Sequence, residues 1–168
     1  MSAVQQRISP CLWFDDQAEE AAKLYVSLFP NSKLGAVAGY GEAGKEIHQK
    51  QPGSVMSVEF TLDGQAFMAL NGGPLFKFTE AISLQVFCDT QAEIDHYWDG
   101  LSAGGDPNAQ QCGWLKDKFG LSWQIVPSQL EDLLQDDSSE AAARVMAALL
   151  KMVKLDIAAL QQAHEGRM

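Results

Sequence analysis

The sequence predicts an α+β chain of two βαβββ modules followed by a helical tail, and three observations predict it. In residues 112–127, Leu121, Trp123 and Ile125 alternate with Ser122 and Gln124 after a turn near Asp117 to Gly120. A period of two places the apolar side chains on one sheet face and the polar ones on the other. Asp63-Gly64 separates two strand-like runs, 55–62 and 65–71, and such a dipeptide marks a two-residue hairpin turn. The third observation is a repeat. Asp15-Asp-Gln-Ala-Glu19 recurs as Asp89-Thr-Gln-Ala-Glu93, an offset of 74 residues at which Ser9 meets Ser83, Leu12 meets Val86 and Trp13 meets Phe87.

Taken in order, residues 8–14 read as a strand in which Pro10 suits an edge or a bulge. Ala21, Leu24, Tyr25 and Leu28 then recur with helical spacing before Pro30. A strand over 33–41 and a polar loop over 41–53 precede the Asp63-Gly64 hairpin. The second half restarts with a strand at 82–88, a helix at 89–101 and strands at 112–117 and 121–126. In the tail, Asp137-Ser-Ser-Glu140 fits a helix cap, and Met146, Leu149, Leu150, Val153, Ile157 and Leu160 form a helical stripe in which a break near 154–156 is left open. The expected organisation is one domain over 7–163, built of modules 7–75 and 80–127 with a helical segment at 128–165.

Composition narrows the function classes. A chain of 168 residues with 46% hydrophobic and 20% charged residues suits one globular domain. Its net charge of -10 repels nucleic-acid phosphates and anionic lipid, so neither is an expected partner. Much of the acid lies near helix starts, where the helix dipole favours carboxylates. Three cysteines, Cys11, Cys88 and Cys112, are widely spaced with no C-x-x-C, which points to a reducing compartment. No apolar leader and no run of 18 apolar residues is present, so a cytoplasmic location is expected.

Several stretches carry a resemblance. They are Leu12-Trp-Phe-Asp15, Ala69-Leu-Asn-Gly-Gly-Pro74, Ala81-Ile-Ser-Leu84, Ala92-Glu-Ile-Asp95 with Trp98, Cys112-Gly-Trp-Leu-Lys-Asp117, Trp123-Gln-Ile-Val-Pro127 and Lys151-Met-Val-Lys-Leu-Asp-Ile-Ala158. Over residues 7–163 the chain resembles the PhnB-like, 3-demethylubiquinone methyltransferase-like group of the vicinal oxygen chelate superfamily. The resemblance implies the glyoxalase/bleomycin-resistance fold: a curved mixed sheet around a cleft, helices outside, and pairing into a homodimer. It implies no single reaction.

Candidate site residues follow. Trp13, Asn71, Trp114 and Gln124 are expected to line a cleft for a small molecule, with Phe87 on the same strand parity as the tryptophans and Lys116 and Asp117 at its rim. Metal-using relatives carry four ligands on cleft-facing strands, and by motif these positions are Ser9, Ala69, Ser83 and Gln124 here. An alanine and two serine hydroxyls make no competent set for a transition metal, even with Glu59 nearby, so no metal and no other cofactor is expected. Gly39-Tyr-Gly-Glu-Ala-Gly44 spells G-x-G-x-x-G but is followed by polar residues and Pro52, not a helix that would meet a phosphate, so it reads as a flexible loop. Glu93 and His96, spaced for one helix face, lack a second ligand pair. Cys11 and Cys112 read as small packing residues rather than nucleophiles. Two function classes stay open: a binding protein with a metal-free cleft, or an enzyme. The enzyme would be a methyltransferase or a metal-dependent lyase, isomerase or dioxygenase.

Overall fold

The computed structural model describes residues 6–135 and 139–167. The chain divides into two compact units, Met1–Phe78 and Thr79–Met168.

The first unit contains β1 (Cys11–Phe14), α1 (Ala18–Leu28), β2 (Lys33–Gly39), the single-turn α2 (Lys45–His48), β3 (Val55–Leu62) and β4 (Gln65–Asn71). Its sheet runs β1-β4-β3-β2, with β1 parallel to β4 and the other pairs antiparallel. The β3–β4 turn is the expected one: Asp63 and Gly64 both adopt positive φ, 44° and 80°, which this tight hairpin demands. Helix α1 buries Ala18, Ala21, Ala22 and Tyr25 against β3 and β4. Small residues at that spacing let the helix lie close to Val58, Phe60 and Phe67. Strand β2 is exposed throughout and forms the sheet edge. The loop expected over 41–53 includes α2, one short turn.

The second unit contains β5 (Ser83–Cys88), α3 (Gln91–Ser102), β6 (Trp114–Lys116), β7 (Ser122–Pro127), α4 (Leu130–Leu134), α5 (Glu140–Leu149) and α6 (Ile157–Glu165). Its sheet runs β5-β7-β6, parallel then antiparallel. The repeat is structural: β1 and β5 end 74 residues apart, at Phe14 and Cys88, and each lies parallel to the last strand of its unit. Buried Leu12 and Phe14 correspond to buried Val86 and Cys88. The second unit has three strands among the described residues where a full repeat has four. Between α3 and β6 the chain instead passes close to β6. A Cβ on Gly105 would lie 2.1 Å from the Lys116 carbonyl oxygen, and Pro107–Ala109 form a 3-10 turn. Proline without an N–H and paired glycines disfavour a ladder there.

Helix α3 opens with a capping box, the Thr90 hydroxyl accepting from Glu93 N–H while the Glu93 carboxylate accepts from Asp89 and Thr90 N–H. In the tail, Ser139 caps α5 and Asp156 caps α6; of the expected cap, Asp137 and Ser138 lie outside the described residues. The helix ends at Leu149, which resets the 3.6-residue phase. Val145, Leu155 and Leu160 therefore form the tail's core with Leu130, Leu133, Leu149 and Met152, while Met146, Leu150 and Val153 of the expected stripe are exposed. No helix among the described residues is long and apolar enough to cross a membrane.

Candidate functional site

Each sheet has a helix-covered face and an open face. On β7 of the second unit, Trp123, Ile125 and Pro127 are buried toward the helices, and Ser122, Gln124 and Val126 point the other way. Register then builds the open face in rows. Gln85, Gln124 and Trp114 form one row, and Ser83, Ser122 and Lys116 the next. Phe87, 63% exposed, pairs with Val126 beyond them.

Polar links run across these rows. The Gln85 side-chain amide donates to Gln124 Oε1 at 3.5 Å, and Gln124 Nε2 donates to Ser83 Oγ at 2.8 Å. Lys116 Nζ makes an ion pair with Glu80 at 2.5 Å. The hydrogen bond and charge of Lys116 hold the Glu80 carboxyl below its usual range. Trp114 is half-buried on the same face. Where β5 and β7 meet α4, a groove of about 480 Å³ is lined by Gln85, Phe87, Val126, Leu130, Glu131 and Leu134.

Asp117, expected at the rim, is instead buried. Its Oδ1 accepts from Phe119 and Leu121 N–H at 2.9 and 3.1 Å, and its Oδ2 accepts from the Trp123 indole at 2.9 Å. It fixes the β6–β7 turn and holds Trp123 in the core. Gly113 is equally constrained: its φ is 84°, and a Cβ there would meet the Ile125 carbonyl oxygen at 2.9 Å.

In the first unit, Trp13 lies half-buried on the open face. Its indole donates to the Gly73 carbonyl at 2.9 Å, its ring meets Phe76 edge-on at 4.9 Å, and a Cβ on Gly72 would strike it at 2.1 Å. Asn71 corrects the expectation. It is buried on the helix face, where Oδ1 accepts from Ala18 N–H at 2.8 Å and Nδ2 donates to the Val55 carbonyl at 3.1 Å. An amide saturated by the backbone at both ends is a structural clamp, not a lining residue.

The metal positions are corrected at one place. Ala69 pairs with Leu12 and is fully buried on the helix face. Gln85, the register partner of Gln124, corresponds through the repeat to Cys11, whose partner is Met68, so Met68 is the counterpart of Gln124. Ser9 precedes β1, and Ser83 opens β5. Taken unit by unit, neither a hydroxyl and a thioether in the first nor a hydroxyl hydrogen-bonded to an amide in the second makes a ligand pair that suits a divalent transition metal. Exposed Glu59 pairs with Met68 on the first unit's open face, in a row with Cys11. Among the described residues no three His, Cys, Asp or Glu side chains gather as a metal site would require.

The remaining candidates have local roles. Glu93 is committed to the α3 cap, and His96 meets the Tyr97 ring at 4.9 Å. His48 meets the Tyr40 ring at 4.6 Å with the planes tilted by 35°, and accepts from Lys50 N–H through Nδ1. Gly44 caps only the four residues of α2, too short a helix to present a phosphate site. Local desolvation raises the Cys11 thiol, and burial pushes Cys88 up to about 12, so neither tends toward thiolate. The Cys112 sulfur accepts from the Gln111 side chain at 3.4 Å. Sequence reading missed Gln85, Ser122 and Glu80. Gln85 was detectable, because it shares β5 parity with Phe87 and Ser83.

The duplicated units with first and last strands parallel define a glyoxalase/bleomycin-resistance type of fold, that of the vicinal oxygen chelate superfamily. The 3-demethylubiquinone-9 3-methyltransferase family matches residues 6–126, and the chain belongs to this PhnB-like family. It is similar to the PhnB protein of Bacillus cereus, whose description assigns it provisionally to the 3-demethylubiquinone-9 3-methyltransferases, at 37% identity with a TM-score of 0.62, covering 73% of this chain and 100% of that one. It shares its fold with protein PA1353 of Pseudomonas aeruginosa, at 20% identity and a TM-score of 0.55, covering 73% and 98%. No curated protein matches it.

Proposed function

We propose that the protein binds a small molecule on the open face of its second sheet, over the row Gln85, Gln124 and Trp114. One observation carries this reading: two neutral amides in register, one of them linked on to Ser83, lie beside a half-buried indole on the sheet face opposite α3, with α4 at its margin. Amides orient a ligand by hydrogen bonding, and the tryptophan supplies apolar contact. The groove by Phe87 and α4 extends the face. In this reading Gln124 occupies a superfamily ligand position and works by hydrogen bonding. We further propose that the protein is a cytoplasmic homodimer that works without a metal; light scattering tests the dimer, elemental analysis of untagged protein the metal, and cell fractionation the location.

A thermal-shift screen of metabolites tests the binding reading, since a ligand that favours the native state raises the melting temperature. Compounds that stabilise the wild type should lose their effect in Gln124→Ala. Stabilisers indifferent to that change would overturn the reading.

The family name favours a second reading, methyl transfer. It requires a methyl-donor site, and the glycine-rich segment 39–44 leads only into the single turn of α2. Calorimetric titration with S-adenosylmethionine decides between the two: micromolar binding would favour methyl transfer.

A further inference from the structure

The row next to the amides has a chemistry of its own. Ser83, Ser122 and Lys116 are register partners across β5, β7 and β6, so their side chains share the sheet face opposite α3, where Ser83 and Lys116 are half-buried and Ser122 is buried. Ser83 Oγ accepts from Gln124 Nε2 at 2.8 Å, which directs its own proton elsewhere. Ser83 Oγ makes no further hydrogen bond among the described residues. Ser122 is 1% exposed, and its Oγ is buried without a hydrogen-bond partner. A buried hydroxyl left unmatched is costly, and such groups are scarce in native proteins. Lys116 completes the row, with a side chain 25% exposed and Glu80 as its partner. The Glu80 side chain is 65% exposed, so the pair is exchangeable.

Resting on the binding reading above, we propose that Ser83, Ser122 and Lys116 form a subsite for a carboxylate of the ligand. Both hydroxyls donate to carboxylate oxygens, and the Lys116 ammonium exchanges Glu80 for the incoming charge. One ammonium balances one negative charge, which selects a monocarboxylate over a dianionic phosphate in a chain of net charge -10. Trp114, in the adjoining row, contacts the rest of the molecule. The class is a small carboxylic acid with an apolar or aromatic body.

Phenylacetate, phenylacetamide and phenyl phosphate probe this directly, followed by backbone and side-chain amide resonances in nitrogen-edited NMR. Phenylacetate should shift the Ser122 amide and the Gln124 side-chain amide saturably. Its affinity should fall about tenfold in Lys116→Gln and by a comparable factor in Ser122→Ala, because charge-assisted hydrogen bonds are lost. Ser122→Ala removes an unmatched hydroxyl, so the fold should persist, and the unliganded melting temperature checks it. Equal binding of phenylacetamide that still depends on Gln124 would overturn the carboxylate subsite and leave the binding face standing. Preference for phenyl phosphate, affinities unchanged in both variants, or no saturable shift with any probe would also overturn the subsite.

Discussion

Asn71 joins three elements through one side chain. It sits at the end of β4, accepts from the first turn of α1 and donates to the start of β3. Asn71→Ala would leave a buried N–H and a half-buried carbonyl unmatched, at a cost of about 2 kcal/mol. Urea unfolding should show the lower midpoint at unchanged slope, and ligand binding by the native variant should be unaltered. A variant of wild-type stability that has lost binding would restore Asn71 to the cleft. The sequence concealed this role because β4 is apolar on both faces: Met68 and Leu70 face out, Phe67 and Ala69 face in, and parity alone could not orient the amide. Ser122 was hidden for the converse reason, since a serine alternating with core residues reads as solvated. Cys88 gives a second test at this scale. Its buried thiol, pushed up to about 12, should resist iodoacetamide at neutral pH in the native protein and react on unfolding.

At the scale of elements, α3 is tied to the chain entering α6. The Gln91 amide donates to the Leu155 carbonyl and accepts from Ile157 N–H, and Lys154 pairs with Asp95 at 2.8 Å. The hydrogen bond from Lys154 is the largest cause that holds the Asp95 carboxyl below its usual range, and the same contact raises the Lys154 ammonium. The sign follows. Asp95 contributes stability above the ordinary aspartate value of about 3.9, lost as pH falls through its lower folded value. Lys154 contributes below about 10.4, lost as pH rises through its raised folded value. Denaturant melts of wild type and Lys154→Met should differ at neutral pH and converge in acid; a gap that widens in acid would contradict the pairing. Such side-chain ties join residues 59 to 66 apart and left no periodic trace, whereas the Asp63-Gly64 hairpin was legible because two adjacent residues specify it. The tail's break near 150–156 was only partly legible. Leu155, buried outside any helix, sits at the centre of a cluster that a continuous stripe would have assigned to Leu150 and Val153.

For the whole molecule, duplication explains both what could be read and what could not. The repeat predicted that β1 and β5 would correspond, and their shared end points and parallel partners follow from it. It predicted a fourth strand for the second unit that Gly104, Gly105 and Pro107 divert. It also allowed Gln124 to be matched to Met68 only once register was known. The central claim is that the working surface of this PhnB-like chain is the open face of the second sheet. A crystal grown with the strongest stabiliser from the metabolite screen tests that claim most directly. The account predicts ligand density over Gln85, Gln124 and Trp114, with a carboxylate at Ser83, Ser122 and Lys116. Density elsewhere, such as at the glycine-rich segment 39–44 or around a metal ion held by Gln124, would contradict it.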